Sequence, residues 1–272
     1  MHFTSRGVPL AVSFLLLGLA RLASAQPAPD SLRPPRPEAV SQLAFEKPAA
    51  DCAHPLGLRE GQNREYQLLD AKGKPTGSWR YRVVKVSTDT VVAKKKPPVV
   101  VTSVRLKCGL YDLANGVLQQ QDLTYFCRRD TTFTDGLGEI NYDGLKGFRD
   151  RRLTYEGTPL AWPNQPKVGT RLPTGGAVVL VSSPSVAIGR VKTTLLQRRV
   201  LAGPTAVTVP AGTFTCYAVE SQRELATAAR ADLVLKNSGR KVDYYDPAVG
   251  IVKAEYFDKA GKLVQTRVLT KF

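Results

Sequence analysis

Two short stretches, Asp70-Ala71-Lys72-Gly73-Lys74 and Asp258-Lys259-Ala260-Gly261-Lys262, carry residue types that phosphate chemistry uses. A glycine-lysine step cradles phosphate when it closes a G-x-x-x-x-G-K loop followed by Ser or Thr. Neither copy does so. Pro75 follows the first and Leu263 the second, and Leu68 and Tyr256 stand where the opening glycines would be. The flanks, Tyr66-Gln67-Leu68-Leu69 and Ala254-Glu255-Tyr256-Phe257, have strand character. An aspartate can start a turn by accepting from the backbone two residues on, and a glycine takes the left-handed position that follows. Both stretches are therefore predicted to be hairpin tips. Asn237-Ser238-Gly239-Arg240 repeats the recipe with Asn as starter and predicts a third.

Nucleophilic chemistry has one place to start. Cys52 and His54 could pair as nucleophile and base, and His54 is the one histidine after the N-terminal segment. The simpler reading is a disulfide cysteine beside a surface histidine. With a single histidine and no H-E-x-x-H, neither a metal site nor a cofactor is expected. Asp130, Asp135, Glu139 and Asp143 lie in a glycine-rich stretch with Thr131, Thr132 and Thr134. They could supply the two carboxylates of a glycosidase, but their spacing does not fit an EF-hand. They are read as solvated loop carboxylates, so no catalytic residue is assigned and the protein is expected not to be an enzyme. A glycan-active enzyme built on this stretch is kept as a rival.

The cysteines are Cys52, Cys108, Cys127 and Cys216, none in C-x-x-C spacing. An exported chain meets an oxidising compartment, so at least one disulfide is expected, with all three pairings open.

Export is expected from the N-terminus. Arg6, the apolar run V-S-F-L-L-L-G-L and Ala23-Ser24-Ala25 fit a signal peptide over residues 1–25, cleaved before Gln26. Gln26 in place of Cys predicts no lipid anchor, and no later stretch is apolar enough to cross a membrane. Residues 26–50, with Pro27, Pro29, Pro34, Pro35, Pro37 and Pro48, read as a disordered linker. Residues 51–272 then form a single β domain, in the periplasm or secreted. The formal net charge is +16, with basic clusters at Lys94-Lys95-Lys96, Arg128-Arg129, residues 149–152 and Arg198-Arg199. Such charge favours an anionic envelope component as partner. The export signal and the lack of a recognition motif argue against nucleic acid.

The elements that position these residues read as strands. Trp79, Tyr81 and Val83 alternate with Arg80, Arg82 and Val84; Phe214, Cys216 and Ala218 with Thr215, Tyr217 and Val219; Val252, Ala254 and Tyr256 with Lys253 and Glu255. Val99-Val100-Val101 and Val178-Val179-Leu180-Val181 look buried on both faces. Residues 224–235, rich in Ala, could be a helix or a strand pair with a loose loop, and residues 139–151 a turn or short helix. The fold class is all-β, mainly antiparallel. So many hairpins must hide their edges, as a strongly curved sheet or partly closed barrel does, with a two-sheet sandwich as the alternative.

Two blocks carry a family resemblance: Val209-Pro210-Ala211-Gly212-Thr213-Phe214-Thr215-Cys216-Tyr217 and Tyr245-Asp246-Pro247-Ala248-Val249-Gly250-Ile251-Val252-Lys253. With them, residues 51–272 resemble the TapB-like family of exported bacterial proteins, which is β-rich and has no settled activity. Tyr244-Tyr245 stands where that family has Trp-Tyr. Physically, Pro210 to Gly212 and Pro247 to Gly250 are corner residues that end one strand and start the next.

The function expected is a non-catalytic binding or scaffolding domain of the envelope. A curved sheet can hold a lipid-like apolar ligand, and Trp79, Tyr81, Trp162, Phe214, Tyr217, Tyr244 and Tyr256 are the candidate wall. A basic module docking on anionic polymers or a partner protein is the alternative.

Overall fold

The computed structural model describes residues 52–92, 97–148, 150–184, 186–230 and 233–272. The predicted signal peptide and linker, Lys94-Lys95-Lys96 and Arg149 lie outside these residues.

The domain is built from strands β1 (Asn63–Asp70), β2 (Pro75–Val91), β3 (Val99–Tyr111), β4 (Val117–Arg128), β5 (Thr131–Thr134), β6 (Arg152–Thr158), β7 (Leu160–Pro163), β8 (Gly175–Ser182), β9 (Ala187–Val209), β10 (Gly212–Arg230), β11 (Leu233–Asp246), β12 (Gly250–Phe257) and β13 (Leu263–Lys271). They form one antiparallel sheet in the order β6-β8-β9-β10-β11-β12-β13-β1-β2-β3-β4-β5-β7, curled into a nearly closed barrel. A single continuous sheet sets the sandwich alternative aside. The two edge strands, β6 and β7, are joined in the chain by Pro159 alone. Gly136 is inserted at this seam. A side chain there would lie 2.0 Å from the Gly176 carbonyl and 2.3 Å from that of Thr158, so only glycine fits.

Both Asp-x-x-Gly-Lys stretches are hairpin tips. Asp70 Oδ1 accepts from the amides of Lys72 and Lys74 at 2.8 Å, and Asp258 Oδ1 from those of Ala260 and Lys262 at 2.9 Å. Gly73 and Gly261 have φ of +78° and +80°. The carboxylate thus consumes the amides a phosphate would need. Asp112 builds the same tip between β3 and β4, with Asn115 at φ +63°.

The third predicted tip is corrected. Asn237-Ser238-Gly239-Arg240 lies inside β11, paired with residues 222–225 of β10. Gly239 is there because a side chain would meet the Phe257 carbonyl of β12 at 2.1 Å. The Ala-rich stretch is a strand pair, with Leu225 opposite Asn237 and Ala228 opposite Val234. Cross-strand pairing overrides its helix propensity. Residues 142–148 form one helical turn, α1 (Tyr142–Leu145), followed by a 3-10 turn, Lys146–Phe148.

Trp79, Tyr81 and Val83 face inward as predicted. Neither valine run is buried on both faces: Val100 is exposed, and Val179 and Val181 are buried while Leu180 is not. In β10, irregular pairing between Cys216 and Val219 switches the face, so Cys216, Ala218 and Val219 are all buried. Pro210 and Ala211 turn β9 into β10, and residues 247–249 turn β11 into β12, as the corner reading requires. The Ala211 amide reaches the Leu269 carbonyl of β13 at 3.2 Å, so the β9–β10 tip folds back over the barrel end, where Phe214 meets Phe272.

Cys52 and Cys127 form a disulfide across 75 residues of sequence. Cys108 and Cys216 are buried thiols of the core, outside any disulfide. Burial pushes the Cys108 thiol up to about 12. The expected Ellman titration at pH about 8 is no reactive thiol in the native protein, two after unfolding without reductant, and four after reduction. A fast-reacting thiol in the native state would contradict this burial.

Candidate functional site

The segment after β5 carries an acid into the barrel. Asp135 caps the 3-10 turn Gly136–Glu139 by accepting from the Leu137 amide at 3.0 Å, and its other oxygen holds the Thr124 amide of β4 at 3.0 Å. The turn is thereby pinned, and Ile140 and Leu145 pack on Ala177, Val179 and Val191. Glu139, at the end of the turn, is buried against Lys241 of β11, Nζ to Oε1 at 2.6 Å. Strand alternation places Lys241 and Asp243 on the same inward face, and Lys241 Nζ lies 3.0 Å from Asp243 Oδ1. The lysine is completely buried.

Burial opposes the charge on each of the three. For Glu139, Lys241 and Arg267 outweigh burial and hold the carboxyl below its ordinary range. For Asp243, burial dominates and raises it. For Lys241, the two carboxylates overcome burial and raise it.

Two arginines extend the cluster. Arg267 of β13 is 6% exposed, and its guanidinium lies 5.5 Å from the centre of the Tyr66 ring. Arg223 of β10 lies 5.5 Å from that of Tyr256. Neither Nε is exposed, and neither has a hydrogen-bond partner among the described residues. The same holds for the hydroxyl of Tyr142, whose ring packs on Trp79 at 5.4 Å. Together with Glu139, these groups line a cavity of about 380 Å³ at the mouth of the curled sheet.

The seven predicted wall residues do not share one wall. Trp79 and Tyr256 line this cavity. Tyr81 lies at a smaller one of about 40 Å³, on which Arg267 also borders. Trp162 is core, packed on Tyr245 at 5.1 Å, with Tyr217 beside the same tyrosine. Phe214 belongs to the main core, and the Tyr244 hydroxyl donates to Glu255. Of the acidic stretch, Asp130 accepts from Thr131, Asp135 caps its turn, and Asp143 pairs with Lys146 at 2.7 Å on the surface. Glu139 is corrected from solvated to buried.

Arg198-Arg199 is split across the sheet. Arg199 is on the surface, bonded to Glu220 at 2.9 Å. Arg198 is buried over Trp162 and donates to the carbonyls of Ala161 and Pro173, tying β7 to β9. Burial lowers it to about 10. Arg171, Arg240 and Lys259 flank Arg199 and Glu220 in an outer groove of about 890 Å³.

Sequence reading missed Lys241, Asp243, Arg223, Arg267 and Tyr142. Lys241-Val242-Asp243 has strand spacing, but charged residues at that spacing ordinarily mark the solvent face.

Fold and site define a curled antiparallel β domain with a charged interior and a cavity at its mouth. The chain belongs to the DUF3108-like family, whose match spans residues 59–269. Two solved structures share the fold. One is a candidate lipoprotein from Parabacteroides distasonis, 21% identical, with a TM-score of 0.63, covering 81% of this chain and 99% of its own. The other is a candidate exported protein with a YmcC-like fold from Bacteroides fragilis, 18% identical, with a TM-score of 0.59 and the same coverage. No curated protein matches the chain. Among the described residues, no helix is long and apolar enough to cross a membrane.

Proposed function

We propose that this protein is a non-catalytic binding domain of the bacterial cell envelope, exported to the periplasm or beyond, that holds a small ligand in the cavity at the mouth of its sheet. The observation that carries this is the cavity itself. At about 380 Å³ it is of ligand size, and Trp79, Tyr142 and Tyr256 give it aromatic surface beside buried charge. Location in the envelope draws on the predicted signal peptide and on the descriptions of the two structural relatives. The TapB-like kinship read from the two corner blocks is proposed as a subdivision within the wider family.

Native mass spectrometry of the protein isolated from the exported fraction, without refolding, tests this reading. The expected spectrum contains a small-molecule adduct that is lost on unfolding and depleted in Trp79→Leu. Ligand-free protein in every such preparation would sink it.

A second reading rests on the outer groove, where Arg171, Arg199, Arg240 and Lys259 would dock an anionic polymer. Retention on envelope fractions should then fall steeply with salt, and salt-independent retention would dispose of it.

A further inference from the structure

We infer that the ligand of this cavity carries an oxyanion, received by Arg267 and Arg223 with the Tyr142 hydroxyl as a third donor. The inference rests on reading the cavity as the ligand site and specifies its chemistry.

The polar groups in the lining are unbalanced. Behind the lining, Lys241 hydrogen-bonds Glu139 at 2.6 Å and is ion-paired with Asp243 at 3.0 Å, without hydrogen-bond geometry to Asp243 Oδ1. Arg267, although 6% exposed, has no carboxylate within ion-pair distance and no partner for Nε among the described residues. Arg223 Nε and the Tyr142 hydroxyl are in the same condition. A buried polar atom without a partner is uncommon and calls for an explanation. Here three border one cavity: two arginine Nε–H groups, which only donate, and a tyrosine hydroxyl, which can donate. A ligand that completes them must present acceptors.

Charge points the same way. Arg223 and Arg267 in the lining and Lys241 behind it act on Glu139 and Asp243, and Asp143 and Lys146 at the rim pair with each other, which leaves one cation in excess. A guanidinium offers a planar fork that fits carboxylate or phosphate oxygens. Leu68, Leu110 and Trp79 give the lining an apolar part, beside Asn141, Asp143, Lys146 and Gln265, so the ligand is an organic anion with some apolar or aromatic body. Carboxylates and phosphate esters share this chemistry.

Two fluorescent probes separate the anion from its body: anilinonaphthalene sulfonate and its neutral counterpart N-phenylnaphthylamine. The folded full chain is expected to bind the sulfonate, and Arg267→Met to weaken it by about tenfold or more while changing the neutral probe by less than about twofold. Ligand-free Arg267→Met is expected to stay folded but to melt below the parent, because Arg267 helps to hold Glu139 ionised. Equal weakening of both probes would mean that Arg267 acts only through the fold and would overturn the inference. If that variant does not fold, Arg223→Met carries the same comparison between probes.

Competition on the parent adds an independent arm. Octanoate or octyl phosphate should displace the sulfonate and octanol should not, and the stronger competitor identifies carboxylate or phosphate. Equal binding of both probes, insensitive to either arginine, would overturn the anion while leaving the cavity reading standing. Failure of both probes to bind, or binding unaffected by Trp79→Leu, would overturn the cavity reading as well.

Discussion

Replacing Lys241 by methionine is expected to lower folding stability at neutral pH by about 3–5 kcal/mol, the effect of leaving buried carboxylates without their cation. Lys241 is fully buried and lies 2.6 Å from Glu139 and 3.0 Å from Asp243. Methionine fills similar volume, so the loss is electrostatic rather than a cavity effect. The pH dependence provides a second reading. In the parent, Glu139 is held low, so its contribution is complete above the ordinary glutamate value and is lost as pH falls through its depressed folded value. Asp243 is raised, so its effect runs the other way, and the two slopes offset. Without Lys241 burial raises Asp243 further, and only the arginines oppose it at Glu139. The deficit of the variant should therefore be largest at neutral pH and shrink as pH falls towards the ordinary carboxylate range of about 4. Urea unfolding at neutral and mildly acidic pH measures both effects. The triple variant Glu139→Gln, Lys241→Met, Asp243→Asn should recover most of the loss. A variant as stable as the parent at neutral pH would show that the cluster is solvated.

The second large effect belongs to the disulfide. Cys52 and Cys127 are 75 residues apart, and closing a loop of that length stabilises a fold by about 4 kcal/mol through the unfolded state. For a domain of this size that corresponds to a fall in melting temperature of roughly 10 °C on reduction. The bond ties β4 to the segment that inserts Leu56 and Leu58 into the core. Arg64 secures the same segment by donating to the carbonyls of Leu56 and Val249. Calorimetry with and without reductant, and of Cys127→Ala, should agree. An unchanged melting temperature would mean that these hydrogen bonds alone hold the segment.

Turn chemistry is local, and this is why Asp70, Gly73, Asp258 and Gly261 could be read from the sequence. Strand faces were readable wherever one side is core and the other water, as at Trp79, Tyr81 and Val83. Gly239 misled because its need for glycine comes from the carbonyl of Phe257 on the next strand, which has no local signature. The charged interior was hidden for the same reason. Lys241 is buried only because Glu139 arrives from a turn 102 residues earlier. Arg198 and Arg199 are adjacent, yet one is core and one is surface. Gln197 before them takes a left-handed conformation, φ +50°, where the β9–β10 pairing is irregular.

The strand order also has a temporal meaning. Within the sheet β13 lies between β12 and β1, the strand nearest it in space being the first in the chain. A growing chain can zip β1 to β5 and β8 to β12 as two separate meanders, each with a bare edge. In the sheet itself β13 is the staple between them. Completing the sheet thus needs a pairing between the first and last strands, the kind of long-range closure that makes β topologies slow. The same closure brings in Arg267, which β13 carries to the cavity that it borders.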